Sequence, residues 1–492
     1  MARHSWRNST TWPGLRYVYD DGMTTAHGHP AHPFAPDALA RLRARELEHF
    51  RLRHPRSAAE AARATHWFTG TPLHWMRDWS LPFPPVIAEA SGARLVDVDG
   101  QRYVDFCLGD TAAMFGHAPA PLVEALGAQL GRGLTTMLPS AAAAEVASLL
   151  ADRFGLPQWQ VATTASDANR FLLRWARAAT GRPVVVVFDG CYHGAVDDTQ
   201  VVLAPEGTRP APGLLGQVFD PAQTTRVVPF NDLEALERAL APGDVAAVLC
   251  EPALTNCGLV LPDEGFLPAL RALTTRHGTL WLADETHSLS AGPGGYCSAH
   301  GLAPDAVVVG KAIAGGLACA VYGVSGAFAQ AMQAAWDAAA PGRTGIGTTL
   351  SGNALQLAAL EASLRHLLVP ETFARMQRLS NRYVARMEQV LERHRLRWRV
   401  TQLGARCELQ FTARQPRTAA EAAASFDHAL ESLLHLYLLN RGVLVTPFHN
   451  MVLMSPATSL DEVEVLVDAT DACFAELSEP AYYQESPFRS PA

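Results

Sequence analysis

Four short apolar runs limit how this chain can fold: PVVVVFD (183–189), DVAAVLC (244–250), GTLWLA (278–283) and DAVVVG (305–310). Each is too short for a buried helix, and none alternates apolar with polar as a half-exposed strand does. Helically patterned segments separate them. Near-continuous apolar strands joined through helices form a mainly parallel sheet covered on both faces, so an α/β fold is expected from about 113 to 370. A fifth run, AVYGVS (320–325), extends the series.

The chain has 492 residues, more than the roughly 250–300 at which one core stops growing, so several domains are expected. Residues 1–112 read as an N-terminal arm and hairpin packing with a smaller domain. The arm contains one helical stretch (PDALARLRARELEHFRLRH), and the hairpin, ARLVDVDGQRYVDF, turns at Asp-Gly. Residues 113–372 form the large domain. Residues 373–492 form a small α+β domain, in which the amphipathic stretches RMQRLSNRYVARMEQVLERH and AAEAAASFDHALESLLHLYLLNRG alternate with strand candidates RCELQF and GVLVTPF. The last residues, YYQESPFRSPA, read as a loose tail.

Several function classes are disfavoured at once. A net charge of -8 with dispersed arginines offers no basic stripe for nucleic acid. The opening MARHSWRNSTTWPG lacks the apolar centre of a signal peptide, and no run of about 18 apolar residues occurs, so a cytoplasmic protein without membrane contact is expected. Eight cysteines form no CxxC pair, which argues against a disulfide framework and a zinc site. The histidines His27, His29 and His32 are interleaved with prolines and joined by no cysteine or acidic cluster, so no metal is expected there.

In open parallel sheets ligands bind beyond the carboxyl ends of the strands. Here those ends are followed by Tyr192 and His193, by Glu251, by Asp284 and Glu285, and by Lys311. Of 40 basic residues Lys311 is the only lysine. Arginine can replace lysine as a cation but not as a primary amine that forms a covalent bond. An amine, carboxylates and an aromatic on one rim suit pyridoxal 5'-phosphate, which carries an aldehyde, a ring nitrogen, a flat face and a phosphate. TTASDANRFLLRWARAA begins a helix with Ala165 and Ser166 in its first turn, where unpaired N–H groups favour an anion.

In order and spacing, FDGCYHG, EPALTNCG, LADETHS, VVVGKAIAGG and GTTLSGN resemble segments of the class III pyridoxal-phosphate aminotransferases, most closely the glutamate-1-semialdehyde aminomutase branch. The resemblance runs from about 85 to 475 and implies fold type I, with a seven-stranded sheet and a homodimer whose sites lie at the subunit interface. It further implies Lys311 as the Schiff-base lysine, Asp284 as partner of the ring nitrogen, Tyr192 stacked on the ring and Thr286 on its other face. Ala165 and Ser166 would hold the phosphate, Thr349 would reach the neighbouring subunit's phosphate, and Glu251 and Asn256 would line the site.

The chain departs from that pattern in three places. Thr164-Ala165-Ser166-Asp167 stands where Ser-Gly-Thr-Glu is usual, and Asp284-Glu285-Thr286-His287 puts a histidine beside the cofactor. TPFHNM lacks the acidic ending of the aminomutases. The expected activity is therefore transfer of an amino group from an amine or amino acid to a keto acid or aldehyde by a ping-pong route. Lys311 serves as base and acid, and Trp75 and Arg406 are candidates for substrate contact. The alternatives are an aminomutase or racemase on the same residues, a catalytically silent relative, or a doubly wound oxidoreductase that would lack any GxGxxG loop.

Overall fold

The computed structural model describes residues 33–77, 79, 81–342 and 344–478. The histidine triplet at 27–32 and the tail from 482 lie outside the described residues. A seven-stranded sheet runs in the order Gln158–Ala162, Ala320–Val324, Ala306–Val309, Leu280–Asp284, Val245–Cys250, Val184–Phe188, Thr225–Val228. Ala320–Val324 is antiparallel to both neighbours, and every other pairing is parallel. All five residues of Val184–Phe188 and all six of Val245–Cys250 are buried. Full burial of such a side chain is worth ~1.5–3 kcal/mol, which explains runs that do not alternate.

The two strands absent from the sequence expectation, Gln158–Ala162 and Thr225–Val228, are the edges of this sheet. Gln158–Ala162 is only partly buried, so its polar residues hide the strand signal. Register holds the site together: Leu282, Ala283 and Asp284 pair with Ala306, Val307 and Val308, and Ala283 pairs with Cys250. The central strands therefore end level, and the residues that follow them emerge on one rim.

Helix Ala165–Thr180 covers one face of the sheet with Ala168, Phe171, Leu172 and Ala176 buried. Strands Arg94–Asp97 and Arg102–Asp105 form the antiparallel hairpin. Val443–Leu444, the only strand formed by GVLVTPF, adds to it in parallel. Helix Pro36–Arg53 packs on helix His428–Asn440, where Asn440 and Arg441 bond the buried Glu46. A three-stranded antiparallel sheet, Arg399–Leu403, Arg406–Gln410 and Met451–Leu453, follows. The stretch read as one helix from 419 is two, Ala419–Ala423 and His428–Asn440. Ser425 Oγ bonds back to the Ala422 carbonyl, and Asp427 accepts from Leu430 N, so side-chain capping interrupts the periodic pattern.

Candidate active site

The rim of the large sheet encloses a cavity of about 290 Å³. Ala165, Ser166, Tyr192, Asp284, Thr286, His287 and Lys311 all line it. The others lie elsewhere: Glu251 and Arg406 are buried behind the wall, while Trp75 is 39% exposed on the short helical turn His74–Arg77 and Thr349 sits on an exposed loop. Asn256 is half-buried and does not line the cavity of this chain.

Asp284 ends its strand at the cavity floor. Its Oδ2 accepts from Asn169 Nδ2 at 2.8 Å and lies 2.9 Å from His193 Nδ1, while Oδ1 accepts from Thr286 N at 3.1 Å. Burial, the largest single influence, would raise this carboxyl, but the bond to and charge of His193, with the bonds from Thr286 and Asn169, together outweigh it and hold the pKa at about 2. His193 is pushed well above the ordinary histidine range: burial opposes the shift, and Cys191 and Asp284 overcome it. Asp284 thus stays ionised.

Helix Ala165–Thr180 opens toward the same space. Thr164 caps it by accepting from Asp167 N at 3.1 Å, leaving the first-turn N–H groups of Ala165 and Ser166 at the cavity wall without a partner in the helix. Two glycines permit this approach. A Cβ on Gly310 would stand 2.8 Å from Ala165 Cβ, and one on Gly194 would stand 2.0 Å from Ser166 Oγ. Ala165, where the resembling enzymes carry glycine, is accommodated because residue 310 has no side chain.

Tyr192 is half-exposed, and its backbone N–H donates to Glu251 Oε1 at 3.0 Å. Glu251 Oε2 accepts from Thr255 N and Oγ1, so this carboxylate shapes the loop carrying the aromatic. Thr286 Oγ1 is buried without a partner, an orphaned hydroxyl aimed at a ligand position.

Lys311 Nζ lies 2.6 Å from Asp110 Oδ2 and 2.7 Å from His287 Nε2. Its backbone is left-handed, with φ 48°, as are Leu108, Asp110 and Thr111 with φ 47°, 50° and 82°. Such conformations cost about 1–3 kcal/mol each and gather at functional sites. Behind His287, Arg406 Nη2 lies 2.7 Å from His287 Nδ1 and donates to Thr111 Oγ1 at 2.6 Å. Arg406 is fully buried, so it forms no surface salt bridge and meets the cavity only through His287. Sequence reasoning missed Asp110, Thr111 and Asn169, none of which follows an apolar strand. For Asp110 and Thr111 the signal is the strained loop, which only the fold displays.

A buried ionised carboxylate, one amine, an aromatic face, an unpaired hydroxyl and open N–H groups at a helix start fit pyridoxal 5'-phosphate in every part. Fold and site define a pyridoxal-phosphate-dependent enzyme. Residues 75–470 match the family model described as Aminotransferase class-III. The chain belongs to the class III aminotransferase family. It is 32% identical over 401 residues to a glutamate-1-semialdehyde 2,1-aminomutase of Roseiflexus castenholzii, covering 80% of this chain and 89% of that one. A crystal structure described as a glutamate-1-semialdehyde aminomutase from Pseudomonas aeruginosa PAO1 superposes with TM-score 0.88 at 48% identity, covering 91% of this chain and 100% of that one. A variant of that protein has been solved in complex with PMP. An omega-transaminase from Sphaerobacter thermophilus gives TM-score 0.79 at 30% identity over 86% of this chain and 98% of that one. The cofactor is pyridoxal 5'-phosphate.

Proposed function

We propose that this chain is an aminomutase of the glutamate-1-semialdehyde type, exchanging the positions of an amino and a carbonyl group within one small substrate. The observation that carries this reading is the likeness along the entire length of the Pseudomonas protein. It favours the aminomutase alternative over transfer between two substrates. When bound, the pyridoxal group supplies an aldehyde and an electron-accepting ring that stabilises negative charge on a substrate carbon.

The chain's own residues do the rest. Lys311 would hold the aldehyde, and its Nζ is the group placed to take a proton from a substrate carbon and return it. Asp284 holds the proton of a ring nitrogen by its fixed negative charge. The N–H groups of Ala165 and Ser166 would bind the phosphate, Tyr192 and Thr286 would orient the ring, and Glu251 shapes the loop that carries Tyr192. Trp75 remains a candidate for substrate contact, whereas Arg406 is buried behind His287 and does not line the cavity. Residues 113–372 serve as the cofactor domain, with the described residues of 1–112 and 373–492 packed together beside it.

Thr349 serves a neighbouring copy's phosphate in a homodimer. Leu130, Met137, Leu138 and Leu350 are exposed, and Ala354 N donates to the Leu134 carbonyl, joining their two segments. An exposed apolar patch of this kind is suited to cover by a second copy, which supports the dimer reading. No helix among the described residues is long and apolar enough to cross a membrane, in keeping with a cytoplasmic enzyme.

A two-substrate transaminase is the second reading, favoured by one observation: TPFHNM lacks the acidic ending. Supplying glutamate-1-semialdehyde alone separates the two. We expect sustained conversion to the isomer with amino and carbonyl positions exchanged. Conversion that stops after one equivalent and resumes only with a separate carbonyl acceptor would establish the transaminase instead.

A further inference from the structure

The histidine at 287 lies between two nitrogen groups, and the hydrogen bonds fix which of its own nitrogens carries the proton. Arginine can only donate. Arg406 Nη2 stands 2.7 Å from His287 Nδ1, so Nδ1 presents its lone pair. Thr111 Oγ1, 2.9 Å from Nδ1, accepts from the same Nη2 and so holds the guanidinium against the ring. The opposite tautomer would set an Nδ1–H against an Nη2–H, two donors face to face. Burial, the largest influence on this ring, holds His287 well below the usual histidine pKa, so the ring is neutral. Its single proton is therefore on Nε2, which faces Lys311 Nζ at 2.7 Å. A donor there needs an acceptor, and an ammonium has none.

We propose that His287 is a positioning residue for Lys311: fixed by Arg406 and Thr111 in the Nε2–H tautomer, it donates to Nζ and holds the lysine as the free amine. The amine's two remaining N–H bonds leave one for Asp110 Oδ2. Asp110 favours the ammonium, His287 and Arg406 favour the amine, and Tyr192, Asp284 and His193 face the same cavity. A lysine kept uncharged is the form that attacks an aldehyde and takes a proton from carbon. The buried arginine then acts on the chemistry through an imidazole, without contacting substrate. The proposal rests on the aminomutase reading only for the use to which that amine is put.

Because Lys311 is the chain's one lysine, acylation of its ε-amine can be followed without interference. The full chain, freed of cofactor, is treated with acetic anhydride from pH 6 to 10, and the peptide containing residue 311 is quantified by mass spectrometry. We expect acylation of the wild type at pH 7 to be roughly 10-fold or more faster than that of His287→Met. His287→Gln, which keeps an N–H donor, should recover part of the difference. Identical profiles for wild type and folded His287→Met overturn the proposal. If that variant does not fold, a wild-type profile matching free N-acetyl-lysine overturns it as well. Reduction of pyridoxal phosphate onto the wild type with borohydride tests the functional reading separately: early acylation without any such linkage would sink that reading and leave the His287 proposal standing.

Discussion

At Lys311 the competition is between one carboxylate and one imidazole. Asp110 Oδ2 at 2.6 Å draws the nitrogen toward the ammonium, while the His287 Nε2–H requires its lone pair. Asp110→Asn removes the first influence and keeps the shape, so the acylation profile of Lys311 should move to lower pH, the reverse of His287→Met. A shift to higher pH would mean that Asp110 acts on the amine in some other way. Asp284 works differently, because its charge is aimed at the cofactor and held by His193, Asn169 and the Thr286 N–H. In Asp284→Asn the rate of amino exchange should fall about 100- to 1,000-fold, the range for losing one preorganised electrostatic group. Lys311 should still be linked to pyridoxal phosphate by borohydride in that variant. Loss of the linkage together with the rate would make Asp284 a binding residue instead.

The site's precision comes from where elements end. Strand Ala306–Val309 delivers Gly310 against the first turn of helix Ala165–Thr180, and an added methyl at 310 would meet Ala165 Cβ at 2.8 Å. Gly310→Ala should therefore cost about 1–3 kcal/mol through overpacking and weaken cofactor affinity. Ala165→Gly in the same chain should restore both, as coupled neighbours do. Thermal unfolding and a fluorescence titration with pyridoxal phosphate measure the cycle, and strictly additive losses would show that the two positions do not touch. This juncture was half legible in the sequence: the apolar runs announced five of the seven strands, and the residues after four of them marked the rim. The edge strands Gln158–Ala162 and Thr225–Val228 left no such signal, because glutamines interrupt the first and the second opens with Thr225 and Arg226, so neither forms a continuous apolar run. Local capping at Ser425 and Asp427 likewise divided a stretch whose apolar spacing reads as one helix. Asp110, Thr111 and Asn169 could not be found from strand ends, since a loop and a helix interior bring them in. Arg406 was legible as a site residue, but its burial behind His287 was not.

Over the whole molecule, buried histidines link stability to pH. His193 and His449 are both raised, each against burial, His193 by Cys191 and Asp284 and His449 by Glu408. A raised pKa means the folded state binds a proton that the unfolded chain releases near pH 6.5, so the stabilisation is complete below that pH and fades as pH climbs through the folded value. His287 and His435, which are lowered, give a slope of the opposite sign that dies away within about one pH unit above 6.5, as the unfolded histidines lose their protons too. From about pH 7.5 upward the melting temperature should fall with rising pH, and less steeply in His193→Gln. A variant with the same slope as the wild type would remove His193 from this linkage. The broadest claim is that the large sheet, the hairpin and the small domain together serve one covalent bond, between the sole lysine and a pyridoxal aldehyde. Loading the protein with pyridoxal 5'-phosphate, reducing with borohydride and mapping the tryptic peptides tests it most directly. The account expects a phosphopyridoxyl group on Lys311 and nowhere else; a Lys311 peptide recovered unmodified from protein that still interconverts its substrate would contradict it.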